Sequence, residues 1–143
     1  VTETIKKQIS EIGLKSMLKR HEGFSSEPYR DNRGNWTIGH GHYMKDGLLN
    51  ISRRVADALL EDDIHKAAFE YLALSWSLDP ARQEVVIELI FWHGFKGFLG
   101  FKKCVAAIER KDWGVASDEL MDSDSGRRYT TRMSELAKIM KGE

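Results

Sequence analysis

A chain of 143 residues, 41% hydrophobic and 31% charged, has the size and composition of one ordinary globular domain that can bury a core without covalent staples. Its net charge is zero, and neither residues 1–50 (8 Lys/Arg, 6 Asp/Glu) nor residues 51–143 (14 and 16) carry the basic excess of a nucleic-acid footprint. The single cysteine, Cys104, excludes an intramolecular disulfide, and no histidine near it in sequence supplies the base that a nucleophile needs, so a half-buried thiol is expected.

The first ten residues are mostly polar, without the apolar centre of a signal peptide, and no run approaches the ~18 apolar residues of a membrane span. Ile5, Ile9 and Ile12 share one helix face, and Leu14, Met17 and Leu18 continue the spacing to Glu22. Gly13 is expected to break or bend this helix, and Gly23 to cap it. From Ser25 to Asn50 the texture changes to strands and tight turns, with Asp31–Asn35 as a hairpin turn. Ser52 is a good N-cap for a long helix whose stripe is Val55, Leu59, Leu60, Ile64, Ala67, Ala68, Tyr71 and Leu72. Asp79-Pro80 starts another helix, carrying Val85, Val86, Leu89 and Ile90 and stopping at the Gly94–Gly100 stretch. Three shorter helices are expected at about Phe101–Arg110, Trp113–Met121 and Arg127–Met140. The class is α+β within a single domain: a small lobe (about 15–50), a connecting helix (about 52–74) and a helical lobe (about 79–140).

The residues that carry chemistry lie between His21 and His42. Glu22 ends a helix, Asp31 follows nine residues later in a hairpin turn, and Thr37 stands on the returning strand. A carboxyl at a helix end and another on a hairpin could flank a groove, as glycoside hydrolysis requires: one protonates the leaving oxygen and the other handles water or the sugar cation. The acid must carry its proton near neutral pH, so it needs partly apolar surroundings, which Phe24 and Trp36 could supply. By spacing alone such a pair is usually plain surface, and Thr37-Ile38-Gly39 could equally be a bulged strand.

Glu22-Gly23, Tyr29, Asp31, Gly34, Thr37, Gly39, Gly41 and His42 reproduce, at the same spacings, the signature Glu-Gly, Tyr-x-Asp, Gly-x-x-Thr-x-Gly-x-Gly-His. The segment thus resembles the phage T4-type lysozyme and endolysin family (glycoside hydrolase family 24), and similarity extends over roughly residues 15–140. The resemblance implies a lysozyme-like fold and a muramidase that cleaves the β-1,4 bond between N-acetylmuramic acid and N-acetylglucosamine with inversion. It makes Glu22 the general acid, with Asp31 and Thr37 holding the attacking water. It pairs His42 with Asp63, a contact expected to lower the Asp63 pKa. It places Phe91, Trp92 and Tyr43 at the substrate. Trp92 stands where relatives have an amide, so it could stack on sugar or fill core; Tyr43, Cys104 and Glu119 are further departures. Either Arg128 or Arg132 is the arginine that the resemblance brings toward Glu22. No cofactor and no metal are expected, since His40 and His42 lack further ligands.

The expected partner is the peptidoglycan glycan strand, met as a monomer. Synthesis in the host bacterial cytoplasm and action on the periplasmic wall, free or carried by a virion, follow from the resemblance. The competing reading is a non-catalytic peptidoglycan-binding or virion scaffold protein of the same fold. His40, between two glycines, has no assignment.

Overall fold

The computed structural model describes residues 13–44 and 51–143. The expected helix face of Ile5, Ile9 and Ile12, and the end of the turn-rich region at 45–50, lie outside the described residues. Among the described residues the chain is mostly helical, with one three-stranded antiparallel sheet, an α+β lysozyme-like fold. It divides into two compact units, Val1–Ala68 and Phe69–Glu143.

In the first unit, helix α1 (Leu14–Glu22) starts behind Gly13, whose φ of 81° is left-handed. The expected break is therefore the point where the helix begins. Leu14, Met17 and Leu18 are buried at i, i+3 and i+4. Gly23 ends the helix with φ 72° and ψ −164°, a conformation that only glycine adopts at little cost, and its N–H donates to Lys19 O at 2.8 Å. Strands β1 (Ser25–Arg30), β2 (Trp36–Gly39) and β3 (His42–Tyr43) follow in that spatial order. Tyr29 pairs with Thr37, and Thr37 with Tyr43. The β1–β2 register slips between Ser25 and Tyr29, the stretch holding Pro28, which has no N–H to give the ladder.

Helix α2 (Arg53–Leu72) begins behind Ser52, whose Oγ accepts from Val55 N at 3.3 Å. It buries Ala56, Leu60, Ile64, Ala67, Ala68 and Tyr71. Val55 and Leu72, expected on that stripe, are 40% and 39% exposed. At about 100° per residue Val55 falls nearly opposite the buried face and Leu72 well to its side.

The second unit is helical. Asp79 caps α3 (Pro80–Leu99), accepting from Arg82 N at 3.1 Å and Arg82 Nη1 at 2.8 Å, with proline at the first turn. The helix breaks at Gly94 (φ 76°, ψ 163°), as the glycine suggests, then makes a further turn to Leu99. Helices α4 (Lys102–Glu109) and α5 (Trp113–Met121) lie where expected. The single helix expected over Arg127–Met140 is two, α6 (Asp124–Arg128) and α7 (Thr130–Lys141). Ser123 starts α6 early by accepting from Gly126 N at 3.0 Å, and Tyr129 (φ −121°, ψ 56°) interrupts the run. Helix α5 packs on α4, α6 and α7, and α7 also on α3. Arg82 ties three helices, donating to Met140 O at 2.7 Å and standing 4.1 Å over the Trp113 ring. Ser117 Oγ donates to Ala137 O at 2.8 Å.

Besides Val85, Val86, Leu89 and Ile90, α3 buries two carboxyls one turn apart, Glu84 and the fully buried Glu88. Arg132 Nε donates to Glu88 Oε2 at 3.1 Å. Burial first, and the Glu88 charge second, push Glu84 up from 4.5 to about 7. The folded chain thus holds this proton more tightly than the unfolded chain. Glu84 costs nothing below the unfolded value, and stability is lost as pH rises through about 7. Glu84→Gln is expected to raise urea stability by about 1 kcal/mol or more at pH 8 and to change it little at pH 4. Parallel urea curves at both pH values check this.

Candidate active site

The carboxyl of Glu22 projects from the last residue of α1 and lies against the backbone of the β2–β3 turn. A Cβ built on Gly41, whose φ is +77°, would stand 2.6 Å from Glu22 Oε2 and 2.7 Å from Cδ. Glycine takes this positive φ at little cost and leaves the carboxyl where it is; a Cβ would displace it.

Asp31 closes the β1–β2 hairpin. Its Oδ1 accepts from Arg33 N and Asn35 N, each at 2.8 Å, while its own N–H donates to Asn35 O at 2.8 Å. The Asp side chain folds the turn around its own carboxylate, the reason this residue type favours such turns. Thr37 is buried on β2, and its Oγ1 donates to Asn35 O at 3.1 Å. Asn35 thus links Asp31 to Thr37.

Tyr29 reports on both carboxyls. Burial raises its phenol above the usual value, and the charges of Glu22 and then Asp31 raise it further. An anionic phenolate there would face two negative charges, so both carboxyls lie within electrostatic reach of one side chain. The sequence marks Tyr29 as part of a motif but not as this meeting point.

Phe24 and Trp36 do not act as bare apolar walls. The Arg53 guanidinium stands 4.0 Å over the Phe24 ring, and Arg30 stands 4.5 Å over Trp36. Both rings carry cations on one face.

His42 and Asp63 are joined, Nδ1 to Oδ2 at 2.7 Å. Asp63, however, is not lowered: burial pushes its carboxyl up and outweighs the opposing His42 hydrogen bond. His40, unassigned by sequence, is 3% exposed and bonded on both ring nitrogens, to Gly23 O at 2.7 Å and Asp57 Oδ1 at 3.0 Å. Lys19 Nζ also reaches Asp57 Oδ1 at 3.1 Å and is the main cause of Asp57 lying below its ordinary value. His40 and Asp57 are 17 residues apart, so no local spacing announces them.

Tyr43 is 59% exposed on the edge strand β3. In the helical unit, Phe91 and Trp92 are half-buried. The Trp92 ring meets Tyr129 edge-on at 5.6 Å and carries the Arg132 guanidinium at 4.1 Å, so this indole is braced by its own unit. A separate groove of about 310 Å³ is lined by Gly100 to Cys104, Glu119, Asp122 and Ser123. Cys104 is fully buried rather than half-buried, and burial, helped by Glu119, pushes its thiol up to about 12. Such a thiol is no nucleophile at neutral pH. Among the described residues, no three His, Cys, Asp or Glu side chains cluster to hold a metal, and no helix is long and apolar enough to cross a membrane.

Comparison with known proteins brings a family to this geometry. A family model described as phage lysozyme matches residues 19–133. Two relatives from Dictyostelium discoideum are named "Probable T4-type lysozyme 1" and "Probable T4-type lysozyme 2". They are 24% and 27% identical, over 89% and 88% of this chain and 92% of each relative.

The His42–Asp63 bond is charge-assisted and less than a third exposed at both ends. Asp63→Ala, which removes the acceptor altogether, is expected to lower stability by about 1–2 kcal/mol at pH 7. Urea unfolding with no loss would remove this bond from the account of the fold.

Proposed function

We propose that this chain, which belongs to the phage lysozyme family, is a muramidase that hydrolyses the β-1,4 bond between N-acetylmuramic acid and N-acetylglucosamine in peptidoglycan. The family makes it a lysozyme-type hydrolase; the bond cleaved and the roles below are our reading. Glu22 is the general acid that protonates the leaving glycosidic oxygen. Asp31 is the carboxylate that orients and deprotonates the attacking water, and Thr37 fixes that water beside it. The observation that carries the reading is geometric: the Glu22 carboxyl lies against Gly41 in the β2–β3 turn, while the hairpin between β1 and β2 fixes Asp31 through Oδ1 and joins it through Asn35 to Thr37. Two carboxyls around one site are what two-sided acid and base work needs.

The turn engages Asp31 through Oδ1; in this reading the other carboxylate oxygen takes the water's proton. Attack by a water on the face opposite the leaving group inverts the anomeric carbon, so the first product is the α-anomer. Tyr43 and the Phe91–Trp92 pair are proposed to contact the glycan. The chain acts as a monomer without cofactor or metal. It is made in the host bacterial cytoplasm and works on the wall from the periplasm, as a free endolysin or as part of a virion.

Turbidity loss of isolated cell walls tests the assignment. Glu22→Gln and Asp31→Asn are each expected to lower the rate about 100-fold or more. Equal rates in all three proteins would end the catalytic assignment. Wall binding without turnover, in wild type as well, would favour a scaffold. Proton NMR of the first product separates inversion from retention, since an initial β-anomer would overturn the inverting step.

A further inference from the structure

The hydrogen bonds around His40 close a circuit that begins and ends beside Glu22. Lys19 Nζ and His40 Nε2 both meet Asp57 Oδ1, at 3.1 and 3.0 Å. His40 Nδ1 donates to Gly23 O at 2.7 Å, and Gly23 N donates to Lys19 O at 2.8 Å. The circuit joins the end of α1, the β2–β3 turn and the first turns of α2. Glu22 sits inside it, one residue before the carbonyl that His40 grips.

Both partners of His40 are acceptors: a backbone carbonyl and a carboxylate held below its ordinary value. Both ring nitrogens are thus engaged, one by each acceptor. At 3% exposure the ring has no water to replace a lost bond. Phe24 packs against the ring at 5.4 Å under the Arg53 guanidinium, which closes the remaining side.

His40 also sits in a turn that cannot drift. Gly39 presses on α2, where a Cβ would meet Ala56 Cβ at 2.9 Å, and Gly41 presses on the carboxyl of Glu22. The same histidine thus fixes the acid twice, through the Gly23 carbonyl behind its backbone and through the Gly41 backbone against its side chain.

We infer that His40 is a positioning residue for Glu22, setting where the acid's carboxyl points by clamping the Gly23 carbonyl. The inference rests on the reading of Glu22 as the general acid. His40 touches no substrate, and its effect falls on the chemical step rather than on glycan binding. A misplacement of about 1 Å at an acid can cost on the order of 100-fold in rate.

The test uses two amides that each keep one donor. Asn at position 40 places its amide near the position of Nδ1, toward Gly23 O; Gln places it near Nε2, toward Asp57. Reducing-end release from isolated peptidoglycan gives kcat and KM, measured below each variant's unfolding midpoint. His40→Asn is expected to keep kcat within about three-fold, and His40→Gln to lose about ten-fold or more, with KM unchanged in both. His40→Ala, with neither donor, replaces the Gln variant if that one does not fold. Equal kcat in the folded variants, or a loss carried by KM alone, would overturn the positioning role. Glu22→Gln runs alongside: full activity there would sink the acid assignment and the inference with it. An inactive Glu22→Gln beside indifferent His40 variants would sink the inference alone.

Discussion

Between the end of α1 and the β2–β3 turn the carboxyl of Glu22 occupies the space where a Cβ on residue 41 would go, so any side chain there would push the carboxyl aside. That close approach organises the first unit. The backbone around it has positive φ at Gly41, at Gly39 where the turn meets α2, and at Gly23 where the chain leaves the helix. Three glycines in strained-for-others conformations would weaken most folds, since glycine gives up the most backbone freedom on ordering. Here the bonds from His40 and Lys19 to Asp57, and from His40 to Gly23, hold the backbone that the glycines leave free.

The helical unit meets a different problem. Without a disulfide it relies on buried apolar side chains and on polar groups that bridge helices. Arg82 and Ser117 donate to carbonyls of α7, and Asp79, Asp112 and Ser123 cap three helix starts. Such groups give direction to packing that hydrophobic burial alone does not specify. Glu84 and Glu88 work against that economy, because two carboxyls one turn apart are taken from water on the same helix face. Arg132 answers one of them with a directed hydrogen bond while its guanidinium lies on the Trp92 ring.

What the sequence made legible was local. Asp79-Pro80, Ser52, Gly23 and the Asp31–Asn35 turn act through bonds to their near neighbours, so the residue type announces the structure. The helix–hairpin frame, α2 and most of the helical half followed from these signals. What escaped depends on partners distant in sequence. His40 gains its meaning only when Asp57 is brought to it by the fold, and a histidine between two glycines otherwise reads as turn. Glu84 and Glu88 escaped because periodicity assigns charged residues to the outer face of a helix. Val55 was misplaced for the opposite reason: it is apolar and near the stripe in sequence, but its helical angle points away. The opposition between burial and hydrogen bonding at Asp63 depends on depth, which no spacing encodes.

The slip in the β1–β2 register has a consequence at the sheet's margins. β1 and β3 are the outer strands, and outer strands carry backbone groups that can pair with another molecule. β1 places Pro28 and a bulge on its length, and β3 is two residues long. Neither offers the flat run of donors and acceptors that strand addition needs. Among the described residues, the margins of this sheet therefore give a second copy little backbone to zip onto.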